Sequence, residues 1–155
     1  DGGETLQGLG GKDRLFGGEG DDTLDGGADA DVMRGAGGND IYIVDHKGDR
    51  SEEASSAGGV DRVFSSVSYT IGAWIEELFL SGTAAIDATG NELDNVLRGN
   101  DGANILDGRA GADRMKGGET DLMPAGRMRA LPKKLGNRRS GESSYLCVVL
   151  VSKRW

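Results

Sequence analysis

The sequence is poor in several residue types on which other protein classes depend. Cys147 is the one cysteine in 155 residues, so no intrachain disulfide can form. Aromatic residues make up only 5% of the chain and 28 residues are glycine, which leaves little material for a globular core. The apolar run from Leu146 to Val151 is far shorter than the roughly 20 residues of a membrane-spanning helix. We therefore expect a chain without stable membrane insertion, held together by something other than disulfides.

Residue patterns typical of enzymes and of nucleic-acid-binding proteins are also missing. His46 is the sole histidine, and the sequence contains neither an H-E-x-x-H nor a G-x-S-x-G motif. The formal net charge is −8, and acidic residues dominate the first 119 positions, so that part of the chain would repel phosphate groups. We expect neither catalysis nor nucleic-acid binding.

What the sequence does contain is a nine-residue phrase that repeats four times without a gap from Gly8. The four copies read GLGGKDRLF, GGEGDDTLD, GGADADVMR and GAGGNDIYI. Glycine clusters at the first, second and fourth places, Asp stands at the sixth, and a large apolar residue stands at the eighth. A flexible acidic linker could share this composition, but it has no reason to place an apolar residue two positions after each Asp. The period therefore indicates a folded repeat.

A second run of the same phrase begins at Gly90 and reads GNELDNVLR, GNDGANILD and GRAGADRMK. Its sixth places hold Asn95, Asn104 and Asp113, so two of the three carboxylates are replaced by amides. The first seven residues continue the register of the first run backwards, with Glu4 where Asp belongs. The chain thus opens inside a repeat.

Nine residues can be divided into about six of turn and three of strand. Two repeats then make one coil, and successive coils stack at the roughly 4.8 Å spacing of neighbouring strands. The eighth-place residues point inward and form a thin core that a single repeat could not bury. Glycine suits the turn because some positions need positive φ and because carbonyl oxygens must converge there. We predict an all-β solenoid.

The phrase resembles the G-G-x-G-x-D-x-U-x repeat of the repeats-in-toxin (RTX, hemolysin-type) calcium-binding proteins. The resemblance covers residues 1–118 and implies a right-handed parallel β-roll that binds Ca²⁺ between stacked turns. The implied ligands are the sixth-place residues and several loop glycines. They are Asp13, Asp22, Asp31, Asp40, Asn95, Asn104, Asp113, Gly11, Gly18, Gly20 and Gly38.

Repeats two apart share an edge of the predicted solenoid, so their sixth-place residues should come together in pairs. The expected pairs are Glu4 with Asp22, Asp13 with Asp31, Asp22 with Asp40, and Asn95 with Asp113. An amide oxygen coordinates Ca²⁺ without neutralising its charge, so we expect the last site to be weaker. Leu9, Ala36 and Asp29 replace loop glycines, and we expect the turn geometry to be disturbed there.

The pattern divides the chain into four parts. Residues 1–43 form the first repeat run, 44–89 a spacer, 90–118 the second run, and 119–155 an atypical basic tail that we expect to be disordered. Within the spacer, we predict a loop over 49–59, one strand-like alternation from Val63 to Ile71, and another around Leu78 to Leu80. We expect Glu76 and Glu77 to be solvated. The tail is either a real C-terminal segment or the product of a reading-frame shift.

Charge is distributed unevenly between the repeats and the tail. Residues 1–119 hold 24 acidic and 10 basic side chains, whereas residues 120–155 hold 2 acidic and 8 basic. Self-repulsion should keep the first part expanded until a cation neutralises it. The resemblance implies a secreted, calcium-dependent folding module whose partners are calcium ions and a covalently linked upstream domain. The alternative is an adhesive or surface-layer scaffold made rigid by calcium.

Overall fold

The structure is a computed structural model that describes residues 2–54 and 58–117 together with two short strands in the tail. These residues form strands and turns without a helix, so none of them belongs to a helix that could span a membrane. The strands are β1 Thr5–Gln7, β2 Arg14–Glu19, β3 Thr23–Asp25, β4 Val32–Gly37, β5 Ile41–Val44, β6 Arg50–Glu52, β7 Arg62–Ser65, β8 Tyr69–Thr70, β9 Glu77–Leu80, β10 Ala88–Thr89, β11 Val96–Arg98, β12 Leu106–Asp107, β13 Arg114–Lys116, β14 Arg129–Ala130 and β15 Leu146–Val148.

The strands up to β13 wind into a parallel β-solenoid. The odd-numbered strands β1 to β13 pair in sequence order in one sheet, and β2-β4-β6 and β8-β10-β12 form two further sheets. Within the first run the paired residues are 18 positions apart, as in the pairing of Leu6 with Leu24 and of Leu24 with Tyr42. This offset is two repeats per coil, so the predicted all-β repeat architecture is confirmed.

The core is a single row of eighth-place side chains that lies between the sheets. Leu24, Met33 and Tyr42 are fully buried, and Leu97 and Leu106 of the second run are buried in the same way. Stacking several coils removes them from water together, which is why such repeats are stable only as an array.

The spacer adds further strands to the same solenoid, and its predicted loop over 49–59 is wrong where β6 forms. Ser51 occupies the eighth place there, and it is buried although it is polar. Tyr69 of β8 satisfies it, because its hydroxyl accepts a hydrogen bond from the Ser51 backbone N–H at 2.9 Å and lies 3.0 Å from Ser51 Oγ. The predicted alternation from Val63 to Ile71 is divided between β7 and β8, which lie in different sheets.

The tail contributes the two remaining strands. β15 pairs antiparallel with β13, and β14 pairs antiparallel with β15. The predicted disorder of the rest of residues 119–155 lies outside the described residues.

Candidate metal centre

The sixth-place aspartates stack along the solenoid through backbone hydrogen bonds. Asp22 Oδ1 accepts a hydrogen bond from the backbone N–H of Glu4 at 2.7 Å, and Asp40 Oδ1 accepts one from Asp22 at 2.8 Å. On the other edge, the backbone N–H of Asp13 donates to Asp31 Oδ1 at 2.7 Å. The three pairs predicted for the first run are therefore adjacent in space.

The same stacking continues into the spacer through residues that the sequence reasoning missed. The backbone N–H of Asp31 donates to Asp49 Oδ1 at 3.1 Å, and that of Asp40 donates to Asp61 Oδ1 at 2.9 Å. Glu76, predicted to be solvated, instead accepts a hydrogen bond from the Asp61 N–H at 3.0 Å. Glu77, also predicted to be solvated, instead forms an ion pair with Arg62. Asp49 follows Asp40 by nine residues, and this spacing could have revealed it.

One oxygen of several stacked carboxylates has no donor among the described residues. It is buried in each case, and the atoms concerned are the Oδ2 atoms of Asp13, Asp22, Asp31, Asp40 and Asp61. Burying an anionic oxygen without a hydrogen-bond donor costs free energy, and a bound cation would offset that cost. A hard cation such as Ca²⁺, which prefers oxygen ligands, fits this donor set.

The first-place glycines make room for these oxygens. A Cβ atom at Gly8 would lie 2.7 Å from Asp13 Oδ2 and 2.5 Å from the carbonyl oxygen of Gly26. A Cβ atom at Gly17 would overlap Asp22 Oδ2 and lie 2.9 Å from the carbonyl oxygen of Gly35. A carboxylate and a backbone carbonyl from the next coil thus face the same small space, which supports the interpretation that these turns hold an ion.

Burial and mutual repulsion disfavour the charged form of these carboxylates in the protein alone. Burial raises the pKa of Asp40 to about 6, and the neighbouring charges of Asp61 and Asp22 act in the same direction. Burial likewise raises the pKa of Asp22. A bound divalent cation would favour the charged form instead, because an opposite charge within a few ångströms lowers a carboxyl pKa.

The turns of the aspartate repeats share one backbone conformation. Their second and fourth places have positive φ throughout, including the four predicted loop glycines Gly11, Gly18, Gly20 and Gly38. Leu9, Asp29 and Ala36 adopt it too, with φ of 73°, 79° and 86°. The expected disturbance of the turn at these residues is therefore wrong: the repeat imposes its geometry on residues for which that conformation is unfavourable.

Leu9 gives a direct test of that conformational cost. Its side chain is 75% exposed, so the change Leu9→Gly removes little packing. We expect it to raise the free energy of unfolding by about 1 kcal/mol, because glycine adopts positive φ without the Cβ penalty. Urea unfolding in calcium measures the effect. The control is Leu93→Gly, at a fourth place without positive φ, where glycine should destabilise the chain.

The two asparagine repeats have a different turn, in which amides replace the carboxylate. Asn95 Oδ1 accepts from the Asn91 backbone N–H at 2.8 Å, and its Nδ2 donates to Asn91 Oδ1 at 3.1 Å and to the Ile75 carbonyl at 3.2 Å. Asn104 makes the same two contacts with Asn100, at 2.9 Å each. A ligand role for Asn95 or Asn104 would have to compete with these hydrogen bonds.

Asp113 ends the second run with the geometry of the aspartate repeats. Its Oδ1 accepts a hydrogen bond from the Asn95 backbone N–H at 3.0 Å, and a Cβ atom at Gly108 would overlap its Oδ2. Positive φ returns at Arg109 and Gly111, the second and fourth places of its repeat. The two residues of the predicted pair, Asn95 and Asp113, are thus adjacent. The first belongs to an asparagine turn and the second to an aspartate turn of the next coil.

Comparison with known proteins agrees with this geometry. The family model of the RTX calcium-binding nonapeptide repeat (4 copies) matches residues 7–42 and 89–121. Over 100 residues, the chain is 37% identical to the endo-1,3-1,4-beta-glycanase ExsH of Rhizobium meliloti (strain 1021), covering 64% of this chain and 19% of that protein. No solved structure matches the chain. The two repeat runs are thus RTX calcium-binding nonapeptide repeats.

Proposed function

We propose that this chain is a non-catalytic module that folds when it binds calcium at the stacked turns of its aspartate repeats. The observation that supports this most directly is the set of buried Oδ2 atoms that have no donor among the described residues. They are aligned along the solenoid and face first-place glycines and backbone carbonyls. Asp13, Asp22, Asp31 and Asp40 would be ligands of the first run, and Asp113 of the second.

The loop glycines would contribute backbone carbonyl oxygens to the same sites. Gly11, Gly18, Gly20 and Gly38 lie in the turns beside the aspartates and have the positive φ that the turn needs. Ca²⁺ takes six to eight oxygen ligands at about 2.3–2.6 Å, more than the carboxylates of two coils supply. Convergent carbonyls would complete the shell.

Asn95 and Asn104 have a different role in this proposal. Their amide groups supply both a donor and an acceptor, so they close their turns by hydrogen bonds without an ion. Residues 1–43 would thus form the main calcium-binding run and residues 90–118 a weaker one. The spacer over 44–89 would join them, and the tail over 119–155 would lie beyond them.

We further propose that calcium couples folding to export from the cell. Extracellular calcium-binding modules have dissociation constants of about 10⁻⁴–10⁻³ M, so a chain in this range folds only where calcium is abundant. The excess of 24 acidic over 10 basic side chains in residues 1–119 would keep it expanded elsewhere. The activity of the whole protein would lie in a covalently linked upstream domain, of which this chain would be the folding module.

A calcium titration of the metal-free chain tests the proposed function. We expect a cooperative rise of the β signal in far-ultraviolet circular dichroism with calcium, because metal binding at a site that the unfolded chain lacks becomes folding free energy. Magnesium is the control, since it demands shorter and stricter octahedral coordination and should leave the spectrum unchanged. A spectrum that stays disordered at roughly 10 mM calcium, about ten times the weak end of the extracellular range, would overturn the proposal.

A further inference from the structure

Three carboxylates meet where the first repeat run passes into the spacer. Asp40 precedes β5, Asp61 precedes β7, and Glu53 directly follows β6. Each offers one oxygen atom, and these three atoms lie within 4.8 Å of one another. Asp40 and Asp61 are 0% and 1% exposed, and Glu53 is half-buried. This carboxylate trio differs from the stacked pairs of the repeat because Glu53 does not stand at a sixth place.

Two oxygens of the trio are buried and have no donor among the described residues, namely Oδ2 of Asp40 and Oδ2 of Asp61. The space beside Asp61 Oδ2 can be located from Gly58. A Cβ atom placed there would lie 2.9 Å from the carbonyl oxygen of Ala36 and 3.4 Å from both Asp61 Oδ2 and Glu53 Oε2. Carboxylate and carbonyl oxygens from three coil segments therefore converge on one point.

Among the described residues, Glu53 receives hydrogen bonds but no basic side chain forms an ion pair with the trio. Glu53 Oε2 accepts from the Ala36 backbone N–H at 3.2 Å, and the Tyr42 hydroxyl donates to Glu53 Oε1. The ion pairs of the described residues use other carboxylates, since Arg34 and Arg50 pair with Glu52 and Arg62 pairs with Glu77. Within the described part of the chain, three acidic groups are thus held together without an ion pair to a basic side chain.

Such an arrangement is unfavourable unless a cation or protons offset it. Burial raises the pKa of Glu53 to about 7, and the neighbouring Asp61 and Asp40 act in the same direction. Burial also raises the pKa of Asp61 to about 6. The neighbouring charge of Glu76 acts on Asp61 in the same direction. The shift of Glu53 agrees with the geometry of the trio, because anionic oxygens that lie this close repel one another in a poorly solvated place.

We propose that Asp40, Glu53 and Asp61, with the carbonyl oxygen of Ala36, form a further calcium site at the junction of the first run and the spacer. The inference rests on the proposed function and adds a ligand that the nine-residue pattern does not supply. Glu53 lies in the segment between β5 and β7, whose paired residues are 21 positions apart instead of 18, and one of its oxygens lies within 4.8 Å of Asp40 and Asp61. Three carboxylates, rather than two, make this the tightest site of the chain, since ligand charge sets calcium affinity.

Calorimetric titration of the full chain with calcium, with and without the change Glu53→Gln, tests the site. The amide keeps the size of the side chain and removes its charge. We expect the variant to bind one calcium ion fewer in the tight step, or to bind it on the order of tenfold more weakly. Glu92→Gln is the matched control, because Glu92 is an exposed glutamate of the second run, and its titration should match the unchanged chain.

The outcomes separate this inference from the proposed function. An unchanged chain that binds no calcium would overturn both. Calcium binding by the unchanged chain with an identical titration for Glu53→Gln would overturn the junction site and leave the repeat sites standing. Terbium, which replaces calcium and is excited through nearby tyrosine, gives a local signal because Tyr42 contacts Glu53. That luminescence should fall in Glu53→Gln and persist in Glu92→Gln.

A variant that does not fold would still leave the site testable. If Glu53→Gln gains no β signal in calcium, Glu53→Asp replaces it, since this change keeps the charge and shortens the side chain by one carbon. We expect the tight step to weaken because the carboxylate no longer reaches the other two. A tight step of unchanged affinity in Glu53→Asp would overturn the proposal.

Discussion

Replacing Asn95 by aspartate should destabilise the solenoid by about 3 kcal/mol at low calcium, measured by urea unfolding just above the calcium concentration at which the chain folds. Asn95 is 1% exposed, and its Nδ2 donates to the Ile75 carbonyl and to Asn91 Oδ1. A carboxylate at this position cannot donate these hydrogen bonds, and its buried negative charge would lie beside the Ile75 carbonyl oxygen and Asn91 Oδ1. The cost should therefore be that of an uncompensated buried charge rather than of a lost hydrogen bond.

The same variant, Asn95→Asp, should respond more strongly to calcium than the unchanged chain. The introduced carboxylate would stand beside Asp113, whose Oδ1 already accepts a hydrogen bond from the backbone N–H of Asn95. If that pair binds one additional ion, the free energy of unfolding rises by up to about 1.4 kcal/mol more per tenfold increase in calcium. Asn95→Ala is the control, because it removes the amide without adding charge. Its loss in free energy of unfolding, relative to the unchanged chain, should be the same at low and at high calcium. If Asn95→Asp also lost the same free energy of unfolding at low and at high calcium, the expected calcium site between residues 95 and 113 would be contradicted.

The strand positions and the core could be predicted because they follow from the nine-residue period of the sequence. Apolar residues two places after a sixth-place Asp, such as Leu24 and Met33, are buried in the structure, and Leu15 is partly buried against them. Two repeats per coil follow from strand length and spacing alone, and the pairing of Leu6 with Leu24 confirms that step. The period carries this information because each coil repeats the same local interactions.

Contacts that break the period could not be predicted in the same way. Asp61 stacks on Asp40, but three extra residues shift it out of the nine-residue register, so counting from the first run misses it. Asp49 keeps the register, but Ser51 stands where an apolar residue should follow it, and only the hydroxyl of Tyr69 makes that polar residue acceptable. Glu53 meets Asp40 and Asp61 through the path of the spacer chain, which no local pattern records.

The distinction between the two kinds of turn also needed the structure. The sequence shows Asn in place of Asp at 95 and 104, and from this we predicted weaker ligands. It places Asn91 and Asn100 at the second place of those repeats, four residues earlier, but it does not show that they hydrogen-bond to those amides. Where this pair occurs, positive φ is absent from the second and fourth places of the described turns, Asn91 and Leu93 in the first case. The chain therefore has two kinds of turn. One is closed by hydrogen bonds between two asparagine side chains, and the other has positive φ at its second and fourth places and an aspartate at its sixth.

Replacing Asp31 by asparagine should have the opposite calcium dependence to the change at Asn95. Asp31 is fully buried, its Oδ1 accepts the Asp13 backbone N–H at 2.7 Å, and its Oδ2 has no donor among the described residues. The variant keeps the acceptor and exchanges a buried anionic oxygen for an amide donor. At low calcium we expect it to be as stable as the unchanged chain or more stable by about 1–3 kcal/mol, because the desolvated charge is gone.

At high calcium the order should reverse. The unchanged chain gains free energy from each occupied site as calcium rises, about 2.7 kcal/mol per site at one hundred times the dissociation constant. Asp31→Asn lacks one carboxylate ligand and should lose about 1.4 kcal/mol relative to the unchanged chain for each tenfold increase in calcium. Urea unfolding across a calcium series measures both slopes, and Asp21→Asn is a control, because Asp21 is exposed and stands at a fifth place. Equal slopes for Asp31→Asn and the unchanged chain would show that Asp31 holds no ion. Crossing stability curves for Asp31→Asn, together with a steeper slope for Asn95→Asp, would show that the sixth-place residue decides whether a turn binds calcium.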